Sequence, residues 1–166
     1  MNRPGRLEAA LWETRRHADA LQRAISEWDA LPPQPWATIE ADLTLVRLLD
    51  QIRYRFLKLQ DTVGDRLIET TLAELGEPSE DWPMRDRLDR LERLGFLDAA
   101  QWAEWRAVRN RLAHEYPDAP QLRWAALGEA LAATHGLLAC VSAWLIKLQP
   151  GSPKASPGSA AGQTVG

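Results

Sequence analysis

Apolar residues recur along most of this chain at alternating spacings of three and four, which is the pattern of amphipathic helices. The first such stretch predicts a helix over residues 5–29, and the prolines after Leu31 end it because proline cannot continue a helix. The second stretch predicts a long helix from about Thr38 to Leu75. Gly64 is a weak point in it, because glycine is a poor helix residue.

Two shorter helices follow, and both have recognisable ends. The first covers residues 84–94, and Gly95 suits the position of a C-terminal cap. The second covers residues 98–115. Asp98 can cap its start by accepting from free backbone N–H groups, and Pro117 disfavours helical geometry in the residue before it.

A fifth helix is predicted over residues 120–148, and no segment shows the alternation typical of a strand. The sequence therefore predicts an all-α fold, an up-and-down bundle of about five helices with the short third helix lying across the others. We assign the bundle to residues 1–149. Ten of the 17 residues in 150–166 are Pro, Gly or Ser, so we predict a disordered C-terminal tail there.

The composition limits the function classes. A chain of 166 residues, 45% of them hydrophobic, is long enough for one domain with a sizeable core. Its formal net charge of −3 supplies no global positive field to attract nucleic acid. Any RNA contact must use a local patch, which the 17 Arg against 3 Lys could supply because Arg holds phosphate through a planar fork of donors.

Cys140 is the single cysteine, so an intrachain disulfide is excluded, as expected in a reducing compartment. We find no signal-peptide core near the N-terminus and no apolar run of the roughly 20 residues needed to span a bilayer. These features favour a cytoplasmic protein. His17 and His135 fall on the polar sides of their predicted helices without metal-ligand spacing around them, so we predict no metal site and no cofactor.

Residues 109–116, which read Arg-Asn-Arg-Leu-Ala-His-Glu-Tyr, are the most informative stretch of the chain. They place a guanidinium, a carboxamide, an imidazole and a phenol within eight positions at the end of a predicted helix. Asn110 and His114 share a helix face, and Arg106 extends that row by one turn. Arg109 lies about 140° around the helix from His114. Either the helix end unwinds, or the site combines side chains from two copies of the chain.

This set of groups suits the cleavage of RNA without a metal. His114 would act as general base or acid for attack of the 2′-hydroxyl on the adjacent phosphorus, since histidine exchanges protons near neutral pH. Arg109 would hold the phosphate and stabilise developing charge, and Asn110 would orient His114 or the sugar. Tyr116 would donate to the phosphate or stack on a base. The simpler alternative is a histidine placed near a helix C-terminus by the helix dipole.

The pattern Arg109, Asn110, His114 and Tyr116 resembles the Arg-x4-His-x-Tyr motif of the HEPN superfamily, and within it that of the HepT-type toxins. The all-α order, and the stretches at residues 57–61 and 87–92, are also similar to bacterial members. The resemblance covers residues 5–148. The chain departs from the family at Pro117, where many members carry an aromatic or aliphatic residue, and in its C-terminal tail.

The resemblance implies a homodimeric, metal-independent endoribonuclease toxin. Arg109, His114 and Asn110 would be catalytic, and Arg106 and Arg111 would add RNA contacts. It also implies a partner, an MntA-type nucleotidyltransferase antitoxin that can transfer AMP to the motif tyrosine, here Tyr116. A bulky anionic group there would block RNA by repulsion. The alternatives are a non-catalytic HEPN subunit that binds substrate for a nucleotidyltransferase or regulates it, and a purely structural bundle.

Overall fold

The computed structural model describes residues 5–149 and is all-helical over that range. The predicted tail at 150–166 lies outside the described residues. The first four α-helices and the π-helical turn between α3 and α4 lie in the first half of the chain, and three further α-helices follow in the described residues. The α-helices are α1 (Arg6–Asp29), α2 (Trp36–Ala41), α3 (Leu43–Thr62), α4 (Ile68–Glu74), α5 (Met84–Arg93), α6 (Ala99–Ala113) and α7 (Pro120–Lys147), and the π-helical turn is Val63–Leu67.

The long second helix of the sequence prediction is present, but it begins differently. Helical structure starts at Trp36, and a new helix begins at Leu43 because the Asp42 side chain accepts hydrogen bonds from the backbone N–H groups of Thr44 and Leu45. The weak point at Gly64 is the π-helical turn, through which α3 continues into α4 without a break. If α3, the π-helical turn and α4 are counted as one continuous helix, the described part of the chain contains six helices.

The predicted C-terminal cap of the first short helix and the predicted N-terminal cap of the second are confirmed. Gly95 follows α5 with a positive φ of 76°, a left-handed conformation that glycine adopts without strain, and the Phe96 N–H donates to the carbonyl of Leu91. The Asp98 side chain accepts from the Gln101 backbone N–H at 2.8 Å and so caps α6. These two turns direct α6 back across the bundle.

The core lies between α1, α3, α6 and α7, with α1 packed most extensively on α3 and α6 on α7. Their inward faces bury aliphatic and aromatic side chains, which removes apolar surface from water and holds the helices together. The indole N–H of the buried Trp144 donates to the Thr71 hydroxyl at 3.1 Å. The largest fully buried apolar side chains are Trp144, Phe56, Leu21, Ile25, Ile52, Leu59, Leu67, Ile68, Leu72, Leu91 and Leu137.

The sequence analysis found no apolar run long enough to span a bilayer. The helix α7 differs from that prediction. By length and composition alone this helix of 28 residues could cross a membrane, with a mean hydropathy of 1.4 over its most apolar window. In the fold, α7 contacts α1, α3 and α6, and it contributes Leu137, Val141 and Trp144 to the core. One third of that window is buried, so part of its apolar surface packs against the other helices.

Candidate functional site

The motif stretch lies where α6 ends. The sequence predicted a helix to about Glu115, but α6 ends at Ala113, and His114 is its C-cap with an extended conformation (φ −77°, ψ 142°). The next turn is tight, because Tyr116 has a φ of 45° in the left-handed region that non-glycine residues seldom adopt. The spacing allowed either an unwound helix end or a site that combines side chains from two copies of the chain. The structure of one chain has the unwound helix end. His114 therefore leaves the helical row of Asn110.

Arg109 is held by a carboxylate on the neighbouring helix. Its Nε and Nη2 donate to Oδ1 and Oδ2 of Asp61 at 2.9 and 3.0 Å, a bidentate ion pair between α6 and α3. Arg106, one turn earlier, donates from Nη1 to Asp61 Oδ1 at 3.4 Å. One carboxylate thus fixes two guanidinium groups, leaving a local excess of positive charge. The hydrogen bond that Arg109 donates to Asp61, more than the charge of that carboxylate, raises the pKa of Arg109.

The π-helical turn begins two residues after Asp61 and brings Gly64 against α6. A Cβ added at Gly64 would lie 3.6 Å from Nη1 of Arg106 and 3.7 Å from the Trp102 ring. Single π-helical turns inside α-helices occur frequently at functional sites, where they change the direction of a few side chains. Here the turn lies directly after the carboxylate that holds both arginines.

His114 and Tyr116 lie together on the other side of the helix end. Their rings meet edge to face with centroids 5.8 Å apart. His114 is exposed, whereas Tyr116 is half-buried and packs against the core. The left-handed turn at Tyr116 is what folds the phenol back towards the imidazole. This short segment therefore places a proton-transfer group and a phenol side by side.

His114 also lines a cleft of about 570 Å³, within the range of about 300–1,000 Å³ that small-molecule sites occupy. The floor is apolar and the rim is charged. Arg53 reaches from α3 to the end of α6, where its Nε donates to the Leu112 carbonyl at 3.2 Å. The cleft is lined by Glu40, Val46, Leu49, Asp50, Arg53, Leu112, His114, Glu115, Pro117, Arg123, Trp124, Ala126 and Leu127.

The predicted site residues therefore divide between two places. Arg109 and Arg106 meet α3 at Asp61, while His114 lines the cleft at the level of Arg53. Asp61 lies eight residues beyond Arg53, about 12 Å along the helix at 1.5 Å per residue. Within one chain, the arginine pair and the imidazole thus lie against different parts of α3.

The two remaining predicted residues differ in their surroundings. Asn110 is exposed and makes no side-chain hydrogen bond within residues 5–149. Arg111 donates from Nε to Glu129 Oε2 of α7 at 2.7 Å. Both side chains of that ion pair are about half exposed. An ion pair at such a position contributes little stability because water screens it. Arg111 can exchange its partner for another anion at small cost.

His17 was expected on a polar surface, and that expectation is wrong. It is buried where α1 meets α3, and Nη1 of Arg55 lies 3.0 Å from its Nδ1. Because arginine only donates, Nδ1 is the acceptor and the ring is neutral. Burial, and then the charge of Arg55, lowers the pKa of His17. Within residues 5–149 no group of three or more His, Cys, Asp or Glu is arranged to hold a metal ion.

The single cysteine does not add a reactive group. Cys140 is partly buried, and its Sγ contacts the carbonyl of Phe96 at 3.6 Å. Burial raises the pKa of its thiol to about 11, so the nucleophilic thiolate is scarce near neutral pH.

Sequence reasoning missed the residues that hold the site from outside the motif. Asp61 is one of 23 acidic residues and lies 48 positions before Arg109, a separation from which no contact can be inferred. Arg53 and Arg123 were missed for the same reason. No protein-family model, curated protein or solved structure matches this chain significantly.

Proposed function

We propose that this protein is a metal-independent endoribonuclease, acting in the cytoplasm as the toxin of a toxin–antitoxin pair. The observation that carries the proposal is the position of His114. It stands outside the helix end, exposed, on a charged cleft, five residues after an arginine whose guanidinium is immobilised by Asp61. An accessible proton-transfer group and a rigid phosphate-binding group are the two elements that attack by the ribose 2′-hydroxyl requires.

The reaction needs few groups. The 2′-hydroxyl attacks the adjacent phosphorus and loses its proton to His114, while the bond from phosphorus to the 5′-oxygen breaks and that oxygen takes a proton from water. A cyclic 2′,3′-phosphate remains on one product. Asp61 occupies Nε and Nη2 of Arg109, so Nη1 still offers donors to the phosphate oxygens. Asn110, exposed one turn before His114, can hydrogen-bond the ribose.

A homodimer would bring the separated groups together. Because Arg109 and His114 of one chain lie against parts of α3 that are about 12 Å apart, Arg109 of one copy could act with His114 of a second copy related by a twofold axis. The exposed face of α6 suits a close approach, since Ala103 and Ala107 add little bulk beside Asn110. Each dimer would then carry two equivalent sites.

The proposed partner is a nucleotidyltransferase antitoxin of the MntA type. The Tyr116 oxygen would attack the α-phosphorus of ATP, AMP would be transferred to it and pyrophosphate would leave. Tyr116 touches the ring of His114, so an adenylyl group there would place an anion beside the imidazole. RNA would be excluded by repulsion and by the volume of the added group.

The test is to express wild type, His114→Ala and His135→Ala without a partner, at equal soluble levels. His135 is exposed on α7, so its replacement is the matched control. Wild type and His135→Ala should arrest growth and cleave RNA in vitro, whereas His114→Ala should lose about 10²-fold or more of the cleavage rate. Equal cleavage by the His114→Ala protein would overturn the proposal.

A second function is favoured by the charge pairing. Arg109, Arg111 and Arg123 each already contact a carboxylate, which lowers their attraction for phosphate. A non-catalytic subunit that binds substrate for a nucleotidyltransferase, or regulates it, would need no free arginine. It would form a stable complex with that enzyme and cleave no RNA, with or without His114.

A further inference from the structure

Three tryptophans and an arginine form a continuous stack that ends at the cleft beside His114. Trp28 and Trp36 lie with ring centroids 6.4 Å apart, and Trp36 and Trp124 lie 4.8 Å apart with an interplanar angle of 11°. Cζ of Arg123 lies 4.8 Å from the centroid of Trp124. Glu40 fixes the other side of that guanidinium, accepting from Nη2 at 2.7 Å. Trp124 and Glu40 together therefore hold the guanidinium in place.

A guanidinium held in this way is a platform for a planar ring. RNA-binding proteins stack unpaired bases on aromatic side chains and on arginine planes. Arg123 contacts the Trp124 ring, and Trp124 stacks on Trp36, so packing holds the guanidinium in place before any ligand binds. The apolar floor of Leu49, Leu112 and Leu127 would receive the ring from the side.

The rim supplies hydrogen-bond acceptors. Asp50 and Glu115 line the cleft from α3 and from the loop after α6. Both are exposed, and among the residues that the structure describes neither carboxylate has a partner. Ionised carboxylates only accept hydrogen bonds, so they select rings with N–H donors. Guanine offers an imino and an amino N–H side by side, whereas uracil offers one imino N–H.

We propose that this cleft is a nucleobase-binding subsite that prefers guanine, with the base stacked on Arg123 and its N–H edge facing Asp50 and Glu115. Arg53 and His114 lie on the same cleft. The Nε of Arg53 donates to the Leu112 carbonyl, so the Nη groups of Arg53 remain as donors for a phosphate. A guanosine monophosphate matches this arrangement. Its base would stack on Arg123, its N–H edge would face the two carboxylates, and its phosphate would accept from Arg53.

The position of His114 defines which nucleotide the subsite would hold. This step rests on the proposed function, because it takes His114 as the group that receives the proton of the attacking 2′-hydroxyl. The base nearest that hydroxyl belongs to the same nucleotide, on the 5′ side of the cleaved bond. RNA would then be cut preferentially after guanosine.

Binding is measured first, with the full wild-type chain and mononucleotides that cannot be cleaved. Calorimetric titrations with guanosine 3′-monophosphate and uridine 3′-monophosphate should show the guanosine ligand binding at least about tenfold more tightly, the effect of one additional charged hydrogen bond. Equal affinity for the two nucleotides, or no binding of either, would overturn the proposal.

Variants then locate the site. The double change Asp50→Asn with Glu115→Gln should abolish the preference for guanosine, and Arg123→Ala should weaken both nucleotides because the platform is lost. Asp19→Asn removes one carboxylate charge at an exposed position of α1 outside the cleft, and it should leave both affinities unchanged. An unchanged guanosine preference in the double variant would contradict the assignment of the two carboxylates.

Cleavage of a mixed-sequence RNA separates this proposal from the proposed function. If guanosine monophosphate binds in the cleft but wild type cuts no RNA, the endoribonuclease proposal fails and the subsite stands. If RNA is cut at all four nucleotides alike and neither mononucleotide binds, the nuclease stands and the subsite fails. Cuts after guanosine that lose their preference in the double variant would support both.

Discussion

Asp61 and Arg109 join α3 to α6 through two parallel hydrogen bonds, with Nε and Nη2 of the arginine 2.9 and 3.0 Å from the two carboxylate oxygens. The pair fixes the plane of the guanidinium as well as its position. Because the same carboxylate also receives Arg106, this contact determines where both cationic groups of the motif helix are held. It is the part of the candidate site that geometry constrains most strongly.

The first prediction concerns this carboxylate. Asp61→Asn keeps the size of the side chain but ends the bidentate acceptance, so Arg109 should lose its fixed plane. We expect RNA cleavage to fall by about tenfold to 10²-fold, since small displacements of a catalytic group cost rates of that order. Rates on a defined RNA measure it, with circular dichroism to confirm folding.

The matched control for Asp61 is Asp65→Asn. Asp65 is exposed on the π-helical turn and acts on Arg109 only through its charge, without a hydrogen bond. Its replacement should change the rate several-fold less than Asp61→Asn. Equal losses in the two variants would mean that charge matters and that the fixed geometry does not.

The second prediction concerns Tyr116. Tyr116→Phe removes only the phenolic oxygen, so the ring should still pack against His114. Incubated with ATP and an adenylyl-transferring antitoxin, wild type should gain one AMP and lose RNA cleavage, while Tyr116→Phe should gain none. Intact-protein mass spectrometry measures the addition.

The chain contains one other tyrosine, and it provides the control. Tyr54 is about half exposed on α3, so Tyr54→Phe removes an accessible phenol away from the motif and should leave the addition of AMP intact. Modification of Tyr116→Phe to the wild-type extent would show that another group is the acceptor.

The third prediction concerns pH. Burial, followed by the charge of Arg55, lowers the pKa of His17 below its ordinary value of 6.5 in the folded state. As the pH falls through 6.5, the unfolded chain therefore binds a proton at this position before the folded chain does, and the free energy of unfolding decreases. Urea denaturation should show lower stability at pH 5.5 than at pH 7.5.

Substitutions isolate the contribution of His17 to that loss. In His17→Gln the amide oxygen can still accept from Arg55 but does not titrate, so the loss of stability between the two pH values should shrink. His135→Gln, at an exposed position of α7, should retain the wild-type loss. The charged groups around His17, namely Arg16, Lys58 and Glu13, are unchanged in both variants. A loss of the same size in His17→Gln would assign the effect to other groups.

The fourth prediction compares two glycines. Gly95 has a φ of 76°, and a Cβ there would lie 2.9 Å from Nζ of Lys147, so Gly95→Ala should destabilise the fold by about 1–2 kcal/mol or more. Gly128 lies inside α7 with no atom within 4 Å of an added Cβ. Gly128→Ala should therefore stabilise by about 0.5–1 kcal/mol. Urea midpoints measure both, and changes of the same sign would contradict this account.

The correct sequence predictions concern features set by neighbouring residues. Asp98 caps α6 and Gly95 ends α5 because capping depends on a few adjacent positions. The weak point at Gly64 was also visible, although its form as a π-helical turn was not. Asp42 was overlooked as a cap because the apolar pattern continues through it, and the pattern alone does not record where the backbone turns.

The errors concern environments that several helices create together. His17 has polar neighbours in sequence, yet it is buried because α3 covers that part of α1. Spacing also left open whether the helix end unwinds or two copies combine. The structure of one chain has the unwound end at His114, and the proposed dimer remains a prediction.

The sequence by itself determined that this chain is helical and where most of its helices begin and end, and it was the source of the proposal that residues 109–116 carry the chemistry. Those properties depend on periodicity and on local hydrogen bonding, which act over a few residues. Only the tertiary structure decided that Asp61 holds Arg109, that His17 is neutral and buried, and that His114 shares a cleft with Arg53 and Arg123. Contacts between residues tens of positions apart depend on how the helices pack, and no spacing in the sequence specifies that packing.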